Sequence, residues 1–146
     1  MGEMRAAFTW SMRVYFHDTD AGGVVFHGNY LHFMEAARTE FLQSLGCSVR
    51  EVQAAGNALF VVYSLHMDFH KPAHLHDELR ITVTLDRVGK ARFLFDQRIL
   101  RGEEVLVSAK INIACVHPQT LKPTPLPETL RARAADPRYA TPAYKA

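Results

Sequence analysis

One long stripe of apolar residues at helical spacing constrains this 146-residue chain more than any other feature. Between residues 29 and 45 apolar side chains recur at i, i+3, i+4 and i+7, which places them on one face of an α-helix. The stripe consists of Tyr30, Phe33, Met34, Ala37, Phe41, Leu42 and Leu45. Arg38 and Gln43 fall off it. Asn29 is predicted to be the N-cap, and Gly46 is predicted to end the helix in the left-handed conformation. The apolar face of this helix must be buried.

Strand patterns occupy most of the remaining chain, because the apolar period there changes from 3.6 to 2. The sequence predicts strands at residues 10–16, 59–69, 78–88, 91–100 and 104–116. Short turn signals join the later strands, which favours an antiparallel meander. One long central helix and about five antiparallel strands indicate an α+β domain in which the sheet wraps the helix.

The predicted domain spans residues 10–127 of the chain. Residues 1–9 carry no pattern and are interpreted as a frayed lead-in. Residues 128–146 follow a proline-rich stretch and are predicted to form a mobile tail, with a short helix over residues 127–135.

A second, shorter helix is predicted from Ser48 to Ala55. Ser48 and Glu51 have the spacing of a capping box, and Gly56 is predicted to stop the helix. This helix is expected to cover an exposed flank of the core.

Composition and charge narrow the function classes. A net charge of +2 is too mild to indicate nucleic-acid binding, although it suits an anionic small ligand. The N-terminus lacks the apolar region of a secretory signal, and no run approaches the ~18 apolar residues of a membrane span, so a cytoplasmic location is predicted. Cys47 and Cys115 lack a paired spacing and are interpreted as reduced, buried thiols.

The segment before the long helix carries the residues expected to do chemistry. It reads Asp18-Thr19-Asp20-Ala21-Gly22-Gly23, a composition typical of a turn whose backbone can approach a ligand. A helix N-terminus offers unpaired N–H groups and the positive end of the helix dipole, which favour an oxyanion or a thioester carbonyl. Asp20 and His27 flank this position in sequence.

Residues 18–30, DTDAGGVVFHGNY, followed at helical distance by Glu35, Arg38 and Thr39, resemble the signature of hotdog-fold acyl-CoA thioesterases. The resemblance is to the branch associated with the Tol-Pal cell-envelope system, a relative of 4-hydroxybenzoyl-CoA thioesterase, and it covers roughly residues 11–127. It implies a hotdog fold, hydrolysis of an acyl-CoA without metal or other cofactor, and homodimers or homotetramers whose sites draw on two chains. It also implies peripheral association with the membrane or the lipid-synthesis machinery.

By this resemblance Asp20 is the catalytic carboxylate, acting as nucleophile or as general base for water. An aspartate is ionised at neutral pH, so it needs no activating base. The alternative reading is an Asx-type turn, which fits Asp18 better than Asp20. His27 is the second catalytic candidate, through its backbone amide or through its ring. A purely structural His27 remains open.

Substrate-binding roles are assigned to five further residues. Gly23 would allow close backbone approach, while Asn29 and Tyr30 would position the helix start. The resemblance places Lys90 and Arg92 against the phosphates of coenzyme A, although a basic pair after Gly89 is also typical of a solvated turn.

Three other function classes remain open from the sequence. A non-catalytic acyl-CoA-binding module would keep the pocket but would not need Asp20. A hotdog-fold hydratase or dehydratase would need a histidine and a carboxylate at the acyl β-carbon, which His27 and Asp20 could supply. A metal-dependent hydrolase could use His17 and Asp18, but the histidine spacing does not fit a zinc site, so no metal is predicted.

Overall fold

A computed structural model describes residues 8–54 and 58–135 of the chain. The five strands are β1 (Phe8–Arg13), β2 (Leu59–Phe69), β3 (Glu78–Val88), β4 (Arg92–Arg101) and β5 (Glu104–Val116). The three helices are α1 (Asn29–Ser44), α2 (Val49–Ala54) and α3 (Glu128–Ala135), and a single 3-10 turn covers Phe16–Asp18. The prediction of one long helix and five strands is confirmed.

The strands form one antiparallel sheet in the order β1-β3-β4-β5-β2. Strands β3, β4 and β5 are a meander, as predicted, but the prediction that β2 also belongs to it is wrong. β2 pairs with β5 at the edge, and β1 takes the place beside β3. The physical reason is that Pro72 and the residues around it make the connection between β2 and β3 a crossing loop rather than a tight turn.

Helix α1 lies on the concave face of the sheet and buries the stripe predicted from its sequence. All seven stripe residues are buried in the core. The helix ends in a Schellman motif: Gly46, at φ +74°, donates its N–H to the Gln43 carbonyl, and Cys47 donates to the Leu42 carbonyl. The left-handed conformation at this end is the reason a glycine stands there.

The start of α1 differs from the prediction in its capping. Gly28 occupies the N-cap position, and no side chain caps the helix. Asn29 instead donates its Nδ2 to the Asp18 carbonyl at 2.9 Å. The asparagine therefore ties the preceding loop to the helix. Its side-chain amide cannot cap the first-turn amides because it is hydrogen-bonded to a carbonyl across the loop.

Both ends of the predicted domain are longer in the structure. β1 begins at Phe8, inside the predicted lead-in, because Phe8 packs edge-on against Phe41 at 5.6 Å. The short helix predicted over residues 127–135 is present as α3, but it packs on the domain: Leu130 is only 3% exposed, and Arg133 hydrogen-bonds to the Leu45 carbonyl at the end of α1. Residues 1–7 and 136–146 lie outside the described part of the chain.

The short helix α2 begins as its sequence predicts. The Glu51 N–H donates to the Ser48 hydroxyl at 3.0 Å, and that hydroxyl donates to the Glu51 carboxylate at 2.8 Å. The predicted stop at Gly56 lies outside the described residues.

The two cysteines are free and buried, as the sequence predicts. Burial raises the pKa of the Cys47 thiol and of the Cys115 thiol. Each thiol contacts a backbone carbonyl at 3.7 Å, of Leu45 and Pro125 respectively.

Edge strand β2 carries an exposed apolar row on the concave face of the sheet. Val62, Leu65 and Phe69 are opposite the core residues Ile113, Ile111 and Val107 of β5, so they point to the same face as α1. Nevertheless they are 46%, 41% and 53% exposed. A bulge at Tyr63 keeps the row on one face despite the odd spacing from 62 to 65. Within the described residues, α1 covers this row only in part, with the Tyr30 ring centroid 5.8 Å from that of Phe69.

Candidate active site

Asp18 anchors the loop that precedes α1. The residue is only 7% exposed, and its side-chain Oδ2 accepts the Tyr15 N–H at 2.9 Å. The Asp18 carbonyl accepts from the Phe26 N–H and from the Asn29 side chain. Asp18 therefore holds the two ends of the loop together. The prediction of an Asx-type turn at Asp18 rather than Asp20 is wrong, because the Asp18 carboxylate turns back to the Tyr15 N–H and the Asx-type contact forms at Asp20.

Asp20 lies at the exposed tip of the same loop. Its N–H donates to the Val24 carbonyl at 2.9 Å, and its own carbonyl accepts from Gly23, at φ +83°. The carboxylate Oδ1 accepts the Gly22 N–H at 2.8 Å, which is an Asx-type contact. Within the described residues, Oδ2 has no hydrogen-bond donor. The carboxylate is thus oriented through one oxygen and presents the other.

Gly22 and Gly23 permit this geometry for different reasons. A Cβ at Gly22 would lie 3.2 Å from Asp20 Oδ1, so a side chain there would crowd the carboxylate. A Cβ at Gly23 would meet nothing within 4 Å, but its positive φ disfavours other residues. The glycine pair therefore shapes the loop around Asp20.

The entrance of α1 presents two unpaired backbone amides. The Asn29 N–H donates to the Phe26 carbonyl at 2.9 Å, and the Tyr30 N–H to the His27 carbonyl at 3.4 Å. In contrast, the N–H groups of His27 and Gly28 have no acceptor among the described residues. Such amides, at the positive end of a helix dipole, can donate to a carbonyl oxygen that gains negative charge.

The His27 ring is exposed and lies among aromatic side chains. Its centroid is 4.5 Å from that of Phe26 and 6.4 Å from that of Phe69 at the end of β2. The ring has no hydrogen bond to the described residues, so both the amide and the ring of His27 are available to a ligand.

Tyr30 supports the site through a buried hydrogen bond. The residue is buried, and its hydroxyl accepts the Ala73 N–H at 3.0 Å. The Ala73 carbonyl in turn accepts the Val25 N–H at 2.9 Å. Burial raises the pKa of the Tyr30 hydroxyl, and the negative charge of Asp20 adds a smaller contribution. Tyr30 thus links the helix start, the loop and the segment after β2.

We expect Tyr30→Phe to lower the free energy of unfolding by about 1–3 kcal/mol, because the Ala73 N–H would be left buried without an acceptor. Chemical denaturation monitored by circular dichroism measures this loss. Tyr63→Phe is the matched control, since that tyrosine is exposed and only its ring contacts Arg92. Equal denaturation midpoints for the two variants would contradict the anchoring role of the Tyr30 hydroxyl.

Arg101 is a supporting residue that the sequence did not reveal. Its guanidinium donates to Asp77 at 2.7 Å, to Glu104 at 2.8 Å and to the Pro72 carbonyl at 3.2 Å. Burial raises the pKa of the Asp77 carboxyl, but hydrogen bonds from His74 and Arg101 outweigh it, and the net pKa is lowered. These contacts fix the segment that carries Ala73.

Lys90 and Arg92, assigned to coenzyme A, are not brought to Asp20 within one protomer. The Asp20 loop follows β1, which pairs with β3 at its Glu78 end. The Lys90 turn lies at the Val88 end of β3, so the 11-residue strand separates the two places by about 35 Å. The Arg92 guanidinium lies 5.4 Å from the Tyr63 ring centroid.

Two of the cavities in the described part of the chain bear on the argument, and both lie away from the Asp20 loop. The larger, about 380 Å³, is at the C-terminal end of α1 and is bordered by Gly46, Val52 and Pro125. The smaller, about 130 Å³, lies between α1 and the sheet beside Arg38. Over residues 8–54 and 58–135, no group of three metal-binding side chains converges, and no helix is both long and apolar enough to cross a membrane.

The model of the thioesterase superfamily matches residues 22–108 of the chain. An acyl-CoA thioesterase, YbgC, of Haemophilus influenzae is 39% identical over 125 residues, covering 86% of this chain and 92% of that protein. A 1,4-dihydroxy-2-naphthoyl-CoA hydrolase of Synechocystis is 28% identical over 131 residues, covering 88% of this chain and 95% of that protein.

Solved structures show the same architecture. A probable thioesterase from Bartonella henselae superposes with a TM-score of 0.78 at 39% identity, covering 84% of this chain and 100% of that one. The 1,4-dihydroxy-2-naphthoyl-CoA thioesterase from Synechocystis superposes with a TM-score of 0.85 at 27% identity, covering 91% and 98%. The fold is therefore the predicted hotdog fold, and the chain is an enzyme that belongs to the thioesterase superfamily.

Proposed function

We propose that this protein hydrolyses an acyl-CoA to a free carboxylic acid and coenzyme A, with Asp20 as nucleophile or general base. The observation that carries the proposal is the pairing of an exposed, oriented carboxylate with two unpaired amides at the entrance of α1. Family membership and the 39% identity to acyl-CoA thioesterases support the reaction class.

In the proposed chemistry, backbone amides stabilise the negative charge on the thioester oxygen, and Asp20 attacks the carbonyl carbon or activates the attacking water. The thioester carbonyl oxygen accepts hydrogen bonds from the His27 and Gly28 amides, which stabilise it as negative charge develops. In one route Asp20 attacks the carbonyl carbon, the thiolate of coenzyme A leaves, and water then hydrolyses the resulting mixed anhydride to the free acid and Asp20. In the other route Asp20 removes a proton from a water that attacks the carbonyl carbon, and the thiolate leaves and takes up that proton. His27 contributes through its amide, while Gly23, Asn29 and Tyr30 hold the loop and the helix entrance in place.

We propose that the active unit is a homodimer formed through β2, alone or within a homotetramer. The free edge and exposed apolar row of β2 would be costly to leave in water. A two-fold axis pairs this edge with its copy, so the two β2 strands run antiparallel. The Leu59 end of one protomer then lies beside the Phe69 end of its partner.

This pairing brings together residues that a single protomer keeps apart. The Asp20 loop and His27 lie at the Phe69 end of β2. Lys90 and Arg92 lie at the other end, since Arg92 pairs with Ala114 of β5 and Ala114 pairs with Val61. In the dimer, the Lys90 turn of one protomer approaches the Asp20 loop of its partner, where Lys90 and Arg92 can bind the phosphates of coenzyme A.

Replacing both Lys90 and Arg92 with Ala should raise KM and leave kcat nearly unchanged, because a remote phosphate is bound equally in the ground and transition states. Steady-state kinetics with one acyl-CoA measures both constants. A substrate shortened to an acyl-pantetheine, which lacks the distal phosphates, should be insensitive to the change. An unaltered KM for the acyl-CoA would place the phosphates elsewhere.

An assay over a series of acyl-CoAs and aroyl-CoAs tests the proposed function. Release of free thiol from at least one member is the expected result. Conversion of enoyl-CoA to hydroxyacyl-CoA without thiol release would favour the hydratase, and binding without turnover would favour the non-catalytic module. The Tol-Pal branch, the cytoplasmic location and peripheral membrane association remain predictions from the sequence.

A further inference from the structure

A cleft of about 130 Å³ separates the second half of α1 from the sheet. Its lining is mainly apolar, with Leu42, Val49, Phe60, Val62, Phe93, Phe95 and Ile113. Three polar side chains of α1 also line it: Glu35, Arg38 and Thr39. By volume the cleft accommodates about four groups of the size of a water molecule or methylene.

Arg38 is held in this cleft by a buried amide. Its Nη1 donates to the Gln97 Oε1 at 2.9 Å. Gln97 is fully buried in β4, and its Nε2 donates to the Met34 carbonyl at 3.1 Å. Because the Met34 carbonyl can only accept, the amide of Gln97 must turn its oxygen towards Arg38. Arg38, which is partly buried, is therefore tied through its guanidinium to a fully buried side chain.

The guanidinium is incompletely compensated within the protomer. Among the described residues it has this one hydrogen bond and no carboxylate in ion-pair contact. Burial lowers the pKa of the Arg38 guanidinium, and the charge of Glu35 acts against this. Glu35 is exposed one turn earlier, so water screens its charge. A cation held among apolar side chains is favoured when an anion is supplied to it.

We infer that this cleft receives the far end of the acyl group and that Arg38 selects acyl groups bearing a second carboxylate. This inference rests on the proposed function, whose substrate class it narrows. The guanidinium fork matches a carboxylate in geometry, and charge-assisted bonds of this kind are about twice as strong as neutral ones. The apolar walls suit the methylenes that precede that carboxylate.

The proposed dimer brings the cleft to the catalytic loop of the partner. The entrance of α1 lies by Phe69, where the ring centroids of Tyr30 and Phe69 are 5.8 Å apart. The Arg38 cleft lies by Phe60 and Val62, at the other end of β2. Antiparallel pairing of the two β2 strands therefore places the cleft of one protomer beside the entrance of α1 in its partner. Within one protomer, Arg38 is about 15 Å along α1 from Gly28.

The test compares matched acyl-CoA pairs of equal length, such as glutaryl with pentanoyl, adipyl with hexanoyl and suberyl with octanoyl. For at least one pair, the wild-type enzyme should show a higher kcat/KM for the carboxylate-bearing member. Arg38→Met should lower kcat/KM for that member about 10- to 100-fold, the cost of one bond to a charged group, and should leave the neutral member nearly unchanged. Arg38→Lys, which keeps the charge but loses the fork, should give an intermediate loss.

Arg50→Met is the matched control, because Arg50 is an exposed arginine on α2. This variant should leave kcat/KM unchanged for both members of each pair. The inference is overturned if the wild-type enzyme shows no higher kcat/KM for the carboxylate-bearing member of any pair. It is also overturned if Arg38→Met lowers kcat/KM equally for both members. It is also overturned if Arg38→Met instead dissociates the dimer, because the anion would then be a carboxylate of the partner subunit. Each of these results leaves the hydrolysis of neutral acyl-CoAs by the wild-type enzyme, and thus the proposed function, intact.

Discussion

Asp20→Asn is expected to lower kcat by about 10²- to 10⁴-fold if Asp20 acts as a general base, and by more if it is a covalent nucleophile. The amide keeps the shape of the side chain, and its oxygen can still accept the Gly22 N–H that orients it. Only the negative charge is removed. Substrate binding and folding should therefore stay close to wild type, and the loss should appear in kcat on the best acyl-CoA substrate.

Asp18→Asn is the matched control for Asp20→Asn. It makes the same chemical change two residues earlier, at a buried side chain that accepts the Tyr15 N–H. The asparagine oxygen can replace that acceptor, so we expect a stability loss of about 1 kcal/mol or less and little change in kcat. If Asp18→Asn were inactive and Asp20→Asn active, with both variants folded by circular dichroism, the assignment of the catalytic carboxylate would be wrong.

Leu65→Lys is expected to produce a monomer and to lower kcat/KM by at least about 10²-fold, the loss that follows when parts of a site are misplaced. Leu65 lies in the middle of β2 on the concave face, where the proposed two-fold axis brings it near its copy. Two lysines would then be buried without partners, at a cost that the edge pairing cannot offset. Light scattering at micromolar concentration, with kinetics on the same sample, measures both effects.

His66→Lys is the control for this variant. His66 is the next residue along β2, but its side chain is 75% exposed and points to the opposite face of the sheet. The same charge introduced there should leave the mass and the activity unchanged. An active monomer of Leu65→Lys would refute the shared site, and an inactive dimer of His66→Lys would show that any charge on this strand is harmful.

The sequence was most informative where local patterns control the structure. The stripe from Tyr30 to Leu45 predicted both the helix and its buried face, because a period of 3.6 admits one arrangement. Gly46 predicted the helix end, because its φ of +74° favours glycine. Strands β2, β3 and β5 were predicted to the residue. The sequence was misleading at Asn29, whose side chain was assigned a local capping role but bonds across the loop to Asp18.

The candidate site was predicted only in part. Asp20 and His27 are close in sequence to the helix entrance, so a local motif could identify them. Gly28, whose amide is unpaired beside that of His27, lies in the same motif but was assigned no role, and Arg101, which fixes the segment after β2, carries no local pattern. The role of Arg101 arises from contacts between residues far apart in the chain, such as that with Pro72.

The sequence by itself determined the elements of this protein, its class and the loop that carries the carboxylate, because turns, caps and apolar periods act over a few residues. The tertiary structure alone decided the order of the strands, since pairing of β2 with β5 depends on which edge a crossing loop can reach. It also decided that Lys90 and Arg92 lie at the far end of the sheet from Asp20, and that Gln97 holds Arg38 in a cleft. These relations join residues separated by about 40 to 70 positions, a distance over which no sequence period extends.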